Sequence, residues 1–165
     1  MTPAFDLVLR NAVAVTASDV QRCDIGIADG RIAALAARLG PGAREIDAAG
    51  RYVLPGGVDG HCHLDQPMPA PLRMADGFES GSRAAACGGT TTVIPFAVQQ
   101  KGHSLRAAVE DYHRRAGGAA LVDYAFHLIV SDPTAEVLGE ELPALIREGY
   151  TSFKIYMTYD DLKLD

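Results

Sequence analysis

The sequence predicts an α/β fold in which a short β-rich segment, residues 1–54, precedes strands that alternate with helices over residues 55–165. Three observations point to it. Apolar residues recur with a period of two in the first fifty positions. After Pro55, β-branched apolar runs alternate with stripes of helical period. Glycine pairs fall at the junctions between them.

In the first segment, Phe5, Leu7 and Leu9 alternate with Asp6, Val8 and Arg10, the pattern of a half-buried strand. Ile25 and Ile27 lead into Asp29-Gly30, and Arg31 to Leu35 follows; Asp-Gly between apolar runs signals a hairpin. Gly40-Pro41-Gly42 marks a loop. These features predict a small antiparallel β unit.

Beyond it, a strand over 52–59 runs into His61. A helix over 78–86 ends at Gly88-Gly89, and Thr90 to Phe96 forms a strand. Leu105, Ala108, Val109 and Tyr112 form a helical stripe, with Ser104 as N-cap and Gly117-Gly118 as the stop. A strand over 122–130 follows. Leu138, Leu142, Leu145 and Ile146 form a further stripe, closed by Gly149, before a strand over 151–157. Strands joined by helical crossovers run parallel. Four such strands suit a small open sheet or the first half of a barrel, which needs about eight strands and ~250 residues.

The chain has 165 residues, 48% apolar and 22% charged, which is ordinary for a globular domain and excludes a disordered chain. No apolar run approaches the ~20 residues of a membrane span, and no secretory signal is readable. Net charge is −6 and Arg114-Arg115 is only a pair, so no basic patch points to nucleic acid. Three cysteines without CxxC spacing argue against a disulfide framework and fit a reducing cytoplasm.

His61 and His63 carry the clearest chemistry. Residues i and i+2 of a strand share a face, so two imidazoles converge at the C-terminal end, where α/β active sites form. Neutral imidazole suits Zn²⁺, although the pair could merely cap a strand. Cys62 faces the opposite way and reads as a small buried hydrophobe. Lys154 lies between Phe153 and Ile155 in an apolar strand. An ammonium there is paired, shifted or modified, or it snorkels from a strand end. Tyr156 shares its face. Tyr159, in the following loop, could donate to a developing oxyanion or simply pack. Asp65 could face the site or bond its own loop. His103, His113 and His127 read as structural or solvated.

Taken in order, these pieces resemble a known family. They are Leu54-Pro55-Gly56-Gly57-Val58-Asp59-Gly60-His61-Cys62-His63-Leu64, then Asp76 to Thr91 with Cys87-Gly88-Gly89-Thr90, then Asp123-Tyr124-Ala125-Phe126-His127, then Ser152-Phe153-Lys154-Ile155-Tyr156-Met157-Thr158-Tyr159. The set resembles the dihydropyrimidinase/hydantoinase branch of the amidohydrolase superfamily, across essentially the whole chain.

The resemblance implies the first half of a (β/α)8 TIM-like barrel preceded by part of a small β-sandwich. It implies a centre of two divalent ions, Zn²⁺, with His61 and His63 on the more buried one and a CO2-derived carbamate on Lys154 bridging both. Tyr159 matches the tyrosine that hydrogen-bonds the substrate carbonyl and its oxyanion; Leu64 and Tyr156 match positions lining the pocket. The implied reaction is hydrolysis of a cyclic amide, in dihydropyrimidines or 5-substituted hydantoins, to an N-carbamoyl amino acid. The implied partners are a small cyclic ureide or amide and sister copies in a homotetramer. The second metal's histidines and a catalytic aspartate match nothing up to Asp165, so these residues alone are expected to be inactive and a longer polypeptide or second chain is expected to supply the rest.

Allantoinase and dihydroorotase types are the neighbouring alternatives. They typically carry arginine soon after the histidine pair, whereas here His63 precedes Leu64-Asp65-Gln66-Pro67-Met68-Pro69 and the first arginine is Arg73. That favours a neutral or apolar exocyclic group. A non-catalytic binding relative would have lost the ligands that His61, His63 and Lys154 retain.

Overall fold

The computed structural model describes residues 4–159 and Leu164. The chain divides into two compact units, Met1–Pro55 and Gly56–Asp165.

The first unit is one sheet of five strands: β1 (Phe5–Val15), β2 (Val20–Ala28), β3 (Arg31–Ala36), β4 (Gly42–Asp47) and β5 (Tyr52–Val53). Their order is β3-β2-β1-β4, with β5 also on β1. The β2–β3 hairpin turns at Asp29 and Gly30, both at positive φ (51° and 70°), as the tight right-twisting turn requires. The sheet is not wholly antiparallel, because β4 and β5 run parallel to β1. Period-two alternation is the same in both pairings, so strand direction is not written in it. Nor do Phe5, Leu7 and Leu9 form the buried face; Val8 is fully buried and they are half-buried. A register shift between Leu9 and Ala12, with Asn11 at φ 54°, then puts Ala12 and Ala14 inside with Cys23 and Ile25.

Asp24 is the buried charge of this unit, 5% exposed. It accepts from the Leu39 N–H (3.1 Å), the Asn11 N–H (3.1 Å) and the Arg10 guanidinium (2.6 Å), which also reaches Glu45 at 2.6 Å. The Leu39 N–H, then Arg10, hold the Asp24 carboxyl below the usual carboxylate range.

The second unit contains β6 (Gly57–Cys62), α1 (Phe78–Cys87), β7 (Thr90–Val98), α2 (Leu105–Ala116), β8 (Asp123–Tyr124), β9 (His127–Ile129), a π-helical turn (Val137–Glu141) running into α3 (Leu142–Arg147), and β10 (Phe153–Lys154). The sheet order is β10-β9-β7-β6, with β8 also on β7, and every pair is parallel. This is the expected α/β architecture, a curled half-barrel sheet with its C-terminal strand ends along one edge.

Several strands are shorter than predicted. Tyr52–Val53 belongs to the first unit's sheet, and β6 starts only at Gly57; residues 122–130 split into β8 and β9; residues 151–157 reduce to Phe153–Lys154. β-branched composition favours extended backbone over a longer run than the neighbouring strand can pair.

Ser104 caps α2 as expected, its Oγ accepting from Ala107 N at 3.2 Å. The Glu141 carboxylate accepts from Leu105 N and Arg106 N as well, at 2.7 and 3.1 Å, tying α2 to the π-helical turn. The predicted last stripe is broken: Leu145 is buried, but Leu138 and Ile146 are 50% and 44% exposed. The wider π turn rotates the face, so Val137 rather than Leu138 points inward. Between helices and sheet lies a core of Leu105, Leu128, Leu145, Ala97 and Ala116, with Tyr112 edge-to-face on Phe78 and Phe126.

Folding lowers the Asp24 pKa, so near that pKa the unfolded chain binds more protons. The stabilisation is present above the unfolded value, about 3.9, and is lost as pH falls through the folded value. Urea unfolding at stepped pH is expected to show stability declining below about pH 4. Asp24→Asn should weaken the neutral-pH fold and flatten that dependence.

Candidate functional site

The C-terminal edge of the parallel sheet gathers the predicted residues around one ring. Phe96, near the end of β7, is 4% exposed. His63 stacks on it at 5.1 Å between ring centroids and 19° between planes, and His61 meets it edge-on at 4.8 Å. The two histidine rings lie 5.5 Å apart, as i and i+2 on one face require. From the far side of the sheet, the Lys154 Nζ reaches 4.4 Å from the Phe96 centroid. His127 of β9 stands between, 4.9 Å from Phe96. An open groove runs over Gly60, His61, Phe96, His127 and Lys154.

Lys154 does not sit inside an apolar strand. Phe153 and Ile155 are exposed, while Lys154 is half-buried on the inward face. Its amine lies over two aromatic faces, Phe96 and, at 5.0 Å, Tyr156, which suit an ammonium. Tyr159 is exposed and stands edge-to-face on Tyr156 at 5.3 Å, extending the row out of the groove. Leu64, expected at the pocket, is 7% exposed and packed in the core, and it does not border the groove.

Cys62 packs against the core on the opposite face, and burial, then the Asp59 charge, pushes its thiol pKa up, so it stays protonated at neutral pH. Asp65 serves its loop: its N–H donates to the Asp76 carbonyl, and its own carbonyl accepts from Arg115. His113 bonds the Tyr150 hydroxyl, and His103 is exposed.

The donors fit a divalent metal in part. His63 Nδ1 donates to Gln66 Oε1, which fixes the tautomer and leaves Nε2 to ligate. His61 is exposed toward the groove. Among the described residues, no three His, Cys, Asp or Glu side chains cluster as a metal cage, so these two imidazoles need further ligands. The motifs do not mark Phe96 or Gln66, and His127 reads from them only as structural or solvated. Phe96 reads as ordinary strand composition, and only the parallel register, which pairs Phe96 with His127, brings both to the histidine pair.

Comparison with known proteins places the chain in a family. The amidohydrolase family matches residues 52–154. The chain belongs to that family. This amidohydrolase chain is 49% identical to a D-hydantoinase of Streptomyces coelicolor over 158 residues, 92% of the chain and 33% of the relative. It is 46% identical to a D-hydantoinase of Ralstonia pickettii, covering 96% of the chain and 34% of that protein. A solved D-hydantoinase structure superposes with a TM-score of 0.92 at 46% identity, covering 98% of this chain and 35% of that one. The chain thus spans about a third of the length of the curated relatives it matches. No helix among the described residues is long and apolar enough to cross a membrane.

Removing the ring at the centre of this cluster should be costly. Phe96→Ala is expected to lower stability by about 3–5 kcal/mol, measured by equilibrium urea unfolding. A change under about 0.5 kcal/mol, the size of an ordinary surface substitution, would show that Phe96 is not a packing centre.

Proposed function

We propose that this amidohydrolase chain carries the first part of an active site that hydrolyses the cyclic amide of dihydropyrimidines or 5-substituted hydantoins to N-carbamoyl amino acids. The observation that supports it most is the convergence of His61, His63 and Lys154 on Phe96, at the active-site edge of a parallel sheet. The similar proteins named D-hydantoinase point to the same chemistry. Residues 1–54 serve in this reading as part of a β-sandwich, and residues 55–165 as the first four β/α units of the barrel.

His61 and His63 would hold one divalent ion, which we assign as Zn²⁺ from the imidazole donors. Lys154, converted by CO2 to a carbamate, would become an anionic ligand shared with a second ion. Carbamate formation would replace the amine that lies over Phe96 and Tyr156 with an anion able to act as a ligand. Bound ions would polarise the amide carbonyl and lower the pKa of a water towards neutrality. Tyr159 has an exposed phenol beyond Tyr156, where its O–H can donate to the substrate carbonyl and to the oxyanion formed from it. Tyr156 and, through the core beneath, Leu64 would shape the pocket for the exocyclic group. Without arginine before Arg73, that group is neutral or apolar. Further ligands and a carboxylate that protonates the leaving nitrogen would come from residues other than these, within a homotetramer. The free cysteines Cys23, Cys62 and Cys87 fit a reducing cytoplasm.

The test is zinc content and ultraviolet loss on dihydrouracil or hydantoin, measured on the natural-length polypeptide that carries these residues. Bound zinc and turnover are expected. Lys154→Ala should lose metal, and Tyr159→Phe should keep metal while kcat falls about 10²–10³-fold. Near-zero zinc with no turnover would sink the proposal.

A further inference from the structure

His127 is the one histidine at the groove whose two ring nitrogens are both engaged, and its partners lie beside the proposed ligands, Gly60 within β6 and Ser152 just before β10. Nε2 is 2.9 Å from the Gly60 carbonyl oxygen, and Nδ1 bonds the Ser152 hydroxyl. A carbonyl can only accept, so Nε2 carries the proton and Nδ1 accepts from the Ser152 O–H. Gly60 immediately precedes His61, and Ser152 lies two residues before Lys154.

The Gly60 carbonyl is available because β6 is irregular at this point. Between the pairs Asp59–Val93 and Cys62–Pro95, β6 advances three residues while β7 advances two, so β6 holds one extra residue. A bulge of this kind takes backbone groups out of the ladder and re-aims a side chain. Here two of those groups find partners: the Asp59 carboxylate accepts from His61 N at 3.0 Å, and the Gly60 carbonyl accepts from His127. Gly60 and His61 are exposed, so the two bonds fix the direction of the backbone, rather than rescue buried groups, at the residue that turns His61 into the groove.

We propose that His127 is a positioning residue that locks the β6 bulge to β10 and so sets His61 against Lys154. It is not a metal ligand, because ligation through either nitrogen would break one of the two bonds that hold these strands. The role rests on the function proposed above and adds to it a determinant of metal affinity outside the ligand set.

The experiment compares natural-length wild type with His127→Leu, His127→Gln and Ser152→Ala, reading zinc affinity by competition with a chromophoric chelator, kcat and KM at saturating zinc, and thermal unfolding. His127→Leu should weaken zinc binding about 10–100-fold and lower kcat to a similar degree, with KM little changed. His127→Gln, whose side-chain amide can still donate to Gly60, should recover much of the loss, and Ser152→Ala should fall between it and wild type. A folded His127→Leu with zinc affinity and kcat within about twofold of wild type, or one that loses only thermal stability, would overturn the role; a tenfold effect in metal affinity is the smallest expected of such an outer partner. If His127→Leu does not fold, the other two variants decide by the same measure. Wild type without zinc or turnover would remove the proposed function itself, and this role with it.

Discussion

The Phe96 ring lies against His61, His63 and His127 and beneath the Lys154 amine, joining side chains from three other strands. A rigid aromatic body can do this where an aliphatic one cannot: it offers a flat face for stacking, an edge for imidazole and a negative face for a cation. Because Phe96 is itself nearly buried, the groups resting on it share the rigidity of the sheet. A site built on such a support places its donors with little conformational freedom, which metal binding and acyl chemistry both need.

The parallel sheet makes that support possible. All four strands of its main path send their C-terminal ends to one edge, so residues far apart in sequence reach a single groove. The bulge in β6 makes the local adjustment: an extra residue at Gly60–His61 takes backbone groups out of the ladder, and side chains of Asp59 and His127 receive them. The regular sheet supplies direction, and its irregularity aims His61.

Much of the site was legible in the motifs because its chemistry is local. His61 and His63 are two residues apart on a strand, and period two alone puts them on one face. Cys62, between them, must then face the core, as it does. Ser104 and the Asp29-Gly30 turn were legible for the same reason, since caps and tight turns depend on few neighbouring residues. Lys154 was singled out for a burial that is only partial; of the two aromatic faces around its amine, Tyr156 lies two residues away and was legible as sharing its face, while Phe96 comes from a strand distant in sequence.

Alternation, helical stripes and turn residues determined by themselves the α/β class, the order of strands and helices and the histidine pair, because each depends on contacts within a few residues. Tertiary structure alone decided that β4 and β5 run parallel to β1, that the π turn buries Val137 in place of Leu138, and that His127 bridges Gly60 and Ser152. Those outcomes depend on which strand lies beside which and in what register, and a period along one segment carries no record of its partner.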